Sequence, residues 1–450
     1  MSRADEPRSE PAYAARAAAL LRAAANDLKR NDAAAEADLG LPPGAFDDYT
    51  SGRLPITWDL IGRAARVWPL NERDLLPVHD DTEHGLHMMR AKESEASSRI
   101  IERGGRPYYE YRDTAMSRLA SYRPEWIKML RVVENDDPHN AAVNWNKGHL
   151  LYQFTYFVGP VNYYFRSGDR SYCVEMSTGD SVWGLPFAPH SFAARSDTEP
   201  AYILALTYGG RLTGDVQREL SAVGRAATGS LALPLGDHGT LLRSVMEGRL
   251  MTVQDLADRS GLAADRVAAL CVAPDRAEWS ELELLADALG VSVRELIAPH
   301  TTTEADVRIQ KGSTASRWSY PGQGSPSYRF TQLASDPIHP HTTSLEVEVQ
   351  TPQPGAALPG THQHQYLYVL GDEPLSVRWE HKGEQFDGWL EAGDSAYVTP
   401  GIELSFSADR PARLLMLRIS GSATPDVRFA LGAMRDGGID RYVAEDRLWY

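Results

Sequence analysis

Residues 148–192, GHLLYQFTYFVGPVNYYFRSGDRSYCVEMSTGDSVWGLPFAPHSF, and residues 360–406, GTHQHQYLYVLGDEPLSVRWEHKGEQFDGWLEAGDSAYVTPGIELSF, share one skeleton. Each runs Q-x-x-Y-x-x-G, then alternating strand residues, then G-D-S, then a Pro-led turn ending in Ser-Phe. A repeat of this length decides architecture before any single residue does. The short Val-, Tyr- and Phe-rich runs separated by Gly, Asp and Pro predict antiparallel strands closing into a barrel, once in each half of the chain.

Upstream of each barrel lies a helical block, at about residues 12–78 and 239–300. In the second, Val253, Leu256, Ala257, Leu262, Val267 and Leu270 follow helical spacing, with Gly261 as the turn between two helices. Ser280 and Glu283 read as a capping box opening the next helix. The combination A-D-x-x-G-L resembles the lambda-repressor-like helix-turn-helix. The first block aligns through Ala37-Asp38-Leu39-Gly40-Leu41, with Pro42 and Pro43 expected to open its next helix. The expected fold is therefore α+β: two tandem repeats of a helix-turn-helix module and a cupin barrel. The boundaries are 12–80 for the first helical module, 95–215 for the first cupin, 239–300 for the second module and 310–430 for the second cupin.

Bulk properties narrow the function. A net charge of −15 repels phosphate backbones over long range. The helical blocks are acidic as well, with 8 basic and 10 acidic residues over 11–80, and 6 and 10 over 241–300. The expected recognition helix, Ala263–Val272, offers only Arg266 as a cation, beside Asp265. A specific DNA reader needs a basic stripe on that face, so a transcription regulator is the weaker reading and no nucleic-acid partner is expected. No apolar run approaches the roughly 20 residues of a membrane span. The charged start, Met1 to Glu6, lacks a signal core, and two cysteines in 450 residues fit a reducing compartment. A cytoplasmic protein without membrane contact is expected.

The first barrel carries Gly148-His149-x-x-x-Gln153 and, 37 residues after Gln153, Pro189-His190. In a cupin these are the metal-bearing motifs. His149 and Gln153, four apart, are expected on one face of a strand, with His190 brought across the barrel. Two imidazoles and one oxygen donor on one side of an ion leave positions open, as non-haem Fe(II) oxygenases require. The second barrel is an internal control. Gln365 repeats Gln153, but Thr361 stands for His149 and Leu404 for His190. That barrel is expected to be metal-free and structural.

These features together resemble the phosphonate oxygenases, and the tandem duplication over nearly the whole chain resembles the methylphosphonate synthase and hydroxyethylphosphonate dioxygenase family. The N-x-G-H and P-H-S-F motifs carry the likeness, together with Ile101 to Gly105 and Tyr108 to Tyr111. The resemblance implies Fe(II) held by His149, Gln153 and His190, and phosphonate binding by Arg103, Tyr111 and Asn146. It implies an active-site role for Lys29, from this or a neighbouring subunit, and catalytic roles for Lys29 and Tyr111; Thr207 offers a further hydroxyl. Arg supplies planar paired donors to such an anion, while Tyr and Asn add neutral ones. The third ligand discriminates within the family. Gly184 stands where the dioxygenase has its Glu, and Gln153 matches the synthase. The implied reaction is O2-dependent cleavage of the C–C bond of 2-hydroxyethylphosphonate to methylphosphonate and a one-carbon product at the CO2 level, by a homo-oligomer. The alternative is the dioxygenase outcome, hydroxymethylphosphonate and formate; a carboxylate such as Glu175 in the pocket would favour it. Gly184 itself departs from the bulkier apolar residue expected in the synthase.

Overall fold

The computed structural model describes residues 11–120, 122–272, 277–299, 306–322, 324–336, 338–339 and 342–445. The charged start read above lies outside them. Two seven-stranded antiparallel sheets, each faced by a three-stranded sheet, form the two barrels. The strand orders correspond element by element. In the first barrel the order is Val307–Gln310, Ser181–Gly184, Tyr152–Val158, Tyr202–Tyr208, Tyr122–Met129, Arg106–Asp113, Arg99–Arg103. In the second it is Leu86–Met89, Ser395–Val398, Gln363–Leu370, Ala412–Ser420, Thr343–Val349, Tyr328–Gln332, Arg317–Tyr320.

Alternation along the strands sorts side chains between two environments. Phe157, Ile203, Ile127 and Tyr163 fill the first barrel, and Leu367, Val347, Leu414 and Phe406 fill the second. The opposite faces of the two large sheets meet in an aromatic layer, with Tyr122, Tyr156 and Trp183 against Tyr366, Tyr397 and Leu417. Each barrel is thus buried on both faces of its large sheet. That explains why the strands read as near-continuous apolar runs rather than as a clean polar alternation.

The first strand in each order comes from the wrong half of the chain. Leu86–Met89, in the linker after the first helical module, pairs with Ser395–Val398 of the second barrel. Val307–Gln310, after the second module, pairs with Ser181–Gly184 of the first. The cupin boundaries expected at 95 and 310 leave both strands out, because side-chain alternation does not reveal which barrel a strand joins. The G-D-S motifs hold this exchange. Asp180 accepts from Lys311 Nζ at 2.8 Å and from the Gly312 N–H at 2.9 Å. Asp394 accepts from Arg90 Nη1 at 2.7 Å and from the Ala91 N–H at 2.8 Å. The serines repeat the pattern, Ser181 accepting from the Ala334 N–H and Ser395 from the Ala115 N–H, at 2.9 and 2.8 Å.

The helical modules have their own cores, Leu21, Phe46, Leu60 and Trp68 in the first and Leu242, Leu256, Val267 and Leu285 in the second. Val253–Ser260 ends on Gly261 in the left-handed region and Asp32–Leu39 on Gly40, both where the sequence places the turn. Two caps differ from expectation. Pro42 and Pro43 lie in the turn before Ala45–Thr50, since Gly44, at φ 85°, is the N-cap. The helix Trp279–Leu289 starts ahead of Ser280, and Glu281 accepts from the Glu278 N–H at 2.9 Å. No described helix is long and apolar enough to cross a membrane.

Replacing Asp180 with Ala leaves the Gly312 and Ser177 N–H groups without their acceptor and Lys311 with only the Glu175 carbonyl, so we expect a loss of about 1–3 kcal/mol, read from urea unfolding. A loss no larger than that of an exposed Asp→Ala control would show that the latch contributes nothing.

Candidate metal centre

The two motif loops of the first barrel hold each other through Asn146. Its Oδ1 accepts from the Gly148 N–H at 3.0 Å and from the His190 N–H at 2.8 Å, and its own N–H donates to the His190 carbonyl at 3.1 Å. Gly148 has φ 74°, and a Cβ there would sit 2.4 Å from the Phe187 carbonyl carbon, so the approach of the two loops admits only glycine. Phe187 N–H in turn donates to the His149 carbonyl at 2.7 Å.

His149 lies in this turn, and its strand begins only at Tyr152. Strand periodicity therefore does not align it with Gln153, as the spacing suggested; the turn at Gly148 does. The convergence is nevertheless as expected. His149 Nε2 is 3.0 Å from Gln153 Oε1, and the His149 and His190 rings stand edge to face at 5.4 Å. Together with Thr155, Val182, Gly184 and Val307 they line one small pocket.

The hydrogen bonds fix what these atoms can do. Both Nδ1 atoms donate to carbonyls at 2.9 Å, His149 to Leu151 and His190 to Ala188. Each imidazole therefore presents a lone pair at Nε2, the arrangement that outer partners impose on metal-binding histidines. Gln153 Nε2 donates to Thr155 Oγ1 at 2.9 Å, which turns Oε1 toward His149. Two lone-pair atoms are thus held 3.0 Å apart with no proton between them, an arrangement that a cation relieves. Burial lowers the His190 pKa to about 4, keeping the ring neutral, as a ligand must be. Among the described residues no three His, Cys, Asp or Glu side chains gather to hold a metal, and the oxygen facing the two imidazoles is the Gln153 amide. The donor set fits a divalent iron with open positions.

The expected anion-binding residues lie outside the pocket lining, at differing distances from the two histidines. Asn146 Nδ2 is 2.9 Å from His190 Nε2. Arg103, at the end of a tight Gly104-Gly105 hairpin, stacks on Tyr109 at 4.8 Å and donates to the Asn144 carbonyl at 3.0 Å, in the loop leading to His149. Tyr111 lies near Arg103, and burial raises its pKa, so it remains a donor at neutral pH. Thr207 is the direct cross-strand partner of Gln153. Its hydroxyl donates to the Arg123 carbonyl at 3.3 Å. Lys29 is not brought to the centre within the chain; it is exposed, its Nζ 3.4 Å from the carbonyl of Asn26 in its own turn. Glu175 is exposed and pairs with Asn162 on the facing sheet, outside the pocket.

Sequence reasoning missed four residues. Thr155 was within reach, being two residues after Gln153 on the same face. Val307 was not, because it arrives on the exchanged strand. Glu125 and Arg99 form a partly buried group with Asp113 beside Tyr111, Arg99 meeting Asp113 at 2.8 Å and Glu125 at 3.7 Å. Burial raises the Glu125 pKa against the pull of Arg99.

We expect Gly148→Ala and Thr155→Val each to weaken Fe(II) binding by about 10–100-fold, measured by anaerobic titration. Unchanged affinity in Thr155→Val would mean that the Gln153 amide needs no such anchor.

Comparison with known proteins places the chain in a family. Residues 242–301 match the family model described as a Cro/C1-type HTH DNA-binding domain. Methylphosphonate synthase of Nitrosopumilus maritimus (strain SCM1) is 36% identical over 431 residues, covering 94% of this chain and 93% of that protein. The structure of Streptomyces albus HEPD with 2-hydroxyethylphosphonate and Fe(II) bound is 78% identical, covers 98% of this chain and 99% of that one, and superposes with a TM-score of 0.95. Native PhpD with cadmium atoms, 19% identical over 94% of this chain and 98% of its own, shares the fold with a TM-score of 0.73. The chain belongs to the methylphosphonate synthase and 2-hydroxyethylphosphonate dioxygenase family.

Proposed function

We propose that the first barrel binds Fe(II) through His149, Gln153 and His190 and uses O2 to cleave the C–C bond of 2-hydroxyethylphosphonate. The carrying observation is the pair of tautomer-locked imidazoles facing an amide oxygen locked by Thr155. Iron bound there supplies a Lewis-acidic meeting point for the substrate's oxygens and O2. The protein does the rest. Arg103 and Asn146 take phosphonate oxygens, Arg103 as a charge and Asn146 as a neutral donor whose amide N–H rests on the His190 Nε2 lone pair until a metal takes that lone pair. Tyr111 adds an O–H, and Thr207 places a second hydroxyl beside Gln153. The fixed geometry turns a meeting of three partners into a local event. Lys29, exposed on a helical module, serves a site completed by packing of modules or subunits.

One O2 balances cleavage to methylphosphonate, CO2 and water, with no added reductant. The reading as a methylphosphonate synthase rests on Gln153 as ligand and on the relative of that name. A second reading, hydroxymethylphosphonate and formate, also consumes one O2, and two observations favour it. The relative named HEPD is the more similar in sequence. Gly184, opposite Gln153, leaves space, since a Cβ there would meet only Val307 at 3.7 Å. The outcomes differ in whether the phosphonate-bearing carbon leaves with a hydrogen or a hydroxyl.

We further propose a cytoplasmic homo-oligomer without a nucleic-acid partner. Val216, Val223 and Leu231 on one helical pair, and Val427, Phe429 and Ile439 near the C-terminal end, are exposed apolar residues suited to subunit contact. Arg266, the one cation of the helix Ala264–Leu270, is held by Glu281 at 2.6 and 2.7 Å rather than presented to a phosphate. Cys173 and Cys271 are unpaired, as a reducing compartment allows.

Phosphorus NMR of iron-loaded protein given 2-hydroxyethylphosphonate and air tests the function. A methylphosphonate signal supports the first reading and hydroxymethylphosphonate the second; unchanged substrate with iron bound refutes both. His190→Ala is expected to abolish either product. If Gly184 governs the partition, Gly184→Ala changes the product ratio, and an unchanged ratio removes Gly184 from the argument.

A further inference from the structure

The second barrel keeps the amide of the iron site and loses its histidines, yet its interior is not simply apolar. Aligned by strand register, Gln365 occupies the place of Gln153, and the cross-strand partner is Arg418 where the first barrel has Thr207. Thr343 completes the row where the first barrel has Arg123. The barrel without the two histidines thus carries a permanent cation one strand from the amide that both repeats share.

That cation is uncompensated. Among the described residues Arg418 makes no side-chain hydrogen bond or ion pair; the residue is half-buried, and its Nε is shielded from solvent. Burial lowers its pKa, and only the Tyr320 hydroxyl opposes the shift; no carboxylate contributes. Gln365 is 1% exposed, and its Nε2 donates weakly to the Ile402 carbonyl at 3.4 Å. That contact orients the amide and leaves Oε1 a buried acceptor without a donor. A half-buried charge without a counterion and a fully buried unpaired acceptor both carry a desolvation cost, and native structures supply partners for such groups. Donor and acceptor stand on directly paired residues, whose Cβ atoms lie about 5 Å apart.

We propose that the second barrel binds a small oxyanion that still carries a proton, of the class of hydrogenphosphate, a phosphonate monoanion or bicarbonate, between Arg418 and Gln365. The anionic oxygen accepts from the guanidinium, and the O–H donates to Gln365 Oε1. An acceptor-only anion such as formate satisfies the first partner and not the second. This site does not depend on the reaction assigned to the first barrel.

The test is thermal unfolding and calorimetric titration of the full-length chain with inorganic phosphate at pH 7, against chloride at equal ionic strength. Phosphate is expected to raise the unfolding midpoint in the native protein and in His190→Ala, where the iron site is disabled. Arg418→Met is expected to remove that rise and, without phosphate, to unfold above the native protein because the lone cation is gone. Bicarbonate should reproduce the Arg418-dependent binding, and formate should bind at least tenfold more weakly. Gln365→Leu keeps the cation and is expected to erase the preference for phosphate over formate. A phosphate effect that survives in Arg418→Met, or is absent from the native protein, overturns the site. Equal affinity for formate and phosphate in the native protein overturns the role of Gln365.

Discussion

Asp180 and Asp394 are buried acceptors, and beyond one N–H of its own turn each is satisfied by the half of the molecule to which it does not belong. Lys311 and the Gly312 N–H come to Asp180, and Arg90 and the Ala91 N–H come to Asp394. A carboxylate this shielded from water must find donors, and here they come from the two inter-module linkers. Once each linker is latched, its strand lies at the edge of the opposite barrel. The two large sheets then close over a shared aromatic layer. Neither barrel has a complete sheet without the other half, so the duplication acts as one interlocked unit.

The metal centre inherits this arrangement. Val307 enters the pocket only because its strand is held beside Ser181–Gly184, the strand that also faces Gln153. On the other side Asn146 ties the two histidine loops, and Gly148 allows them to touch. The centre is therefore preorganised by outer contacts, with each imidazole proton and the amide hydrogen already assigned.

The two barrels show how one framework carries different electrostatics. In the first, Asp113 and Glu125 gather with Arg99 beside Tyr111, and two histidines and an amide converge on one small pocket. In the second, the row of Glu125 holds Leu345 and the place of Thr207 holds a guanidinium. The first interior offers lone pairs to a cation, whereas the second carries its cation covalently, as Arg418.

The repeat, the α+β class, the helical modules and the convergence of His149, Gln153 and His190 on one pocket were legible from sequence, because they rest on local periodicity and on motif spacing within one barrel. Gly40 and Gly261 end helices by backbone preference alone, and the sequence places both turns. Tertiary structure decided what crosses between halves. The G-D-S motifs read as turns, yet they act as latches, since nothing local reveals that the donors lie more than a hundred residues away. His149 read as a strand residue, although a turn that only glycine permits carries it to Gln153. Arg418 reads as an ordinary strand arginine until strand pairing sets it beside Gln365. Local preference is written in neighbouring residues, whereas the partner of a buried charge is chosen by the fold that buries it.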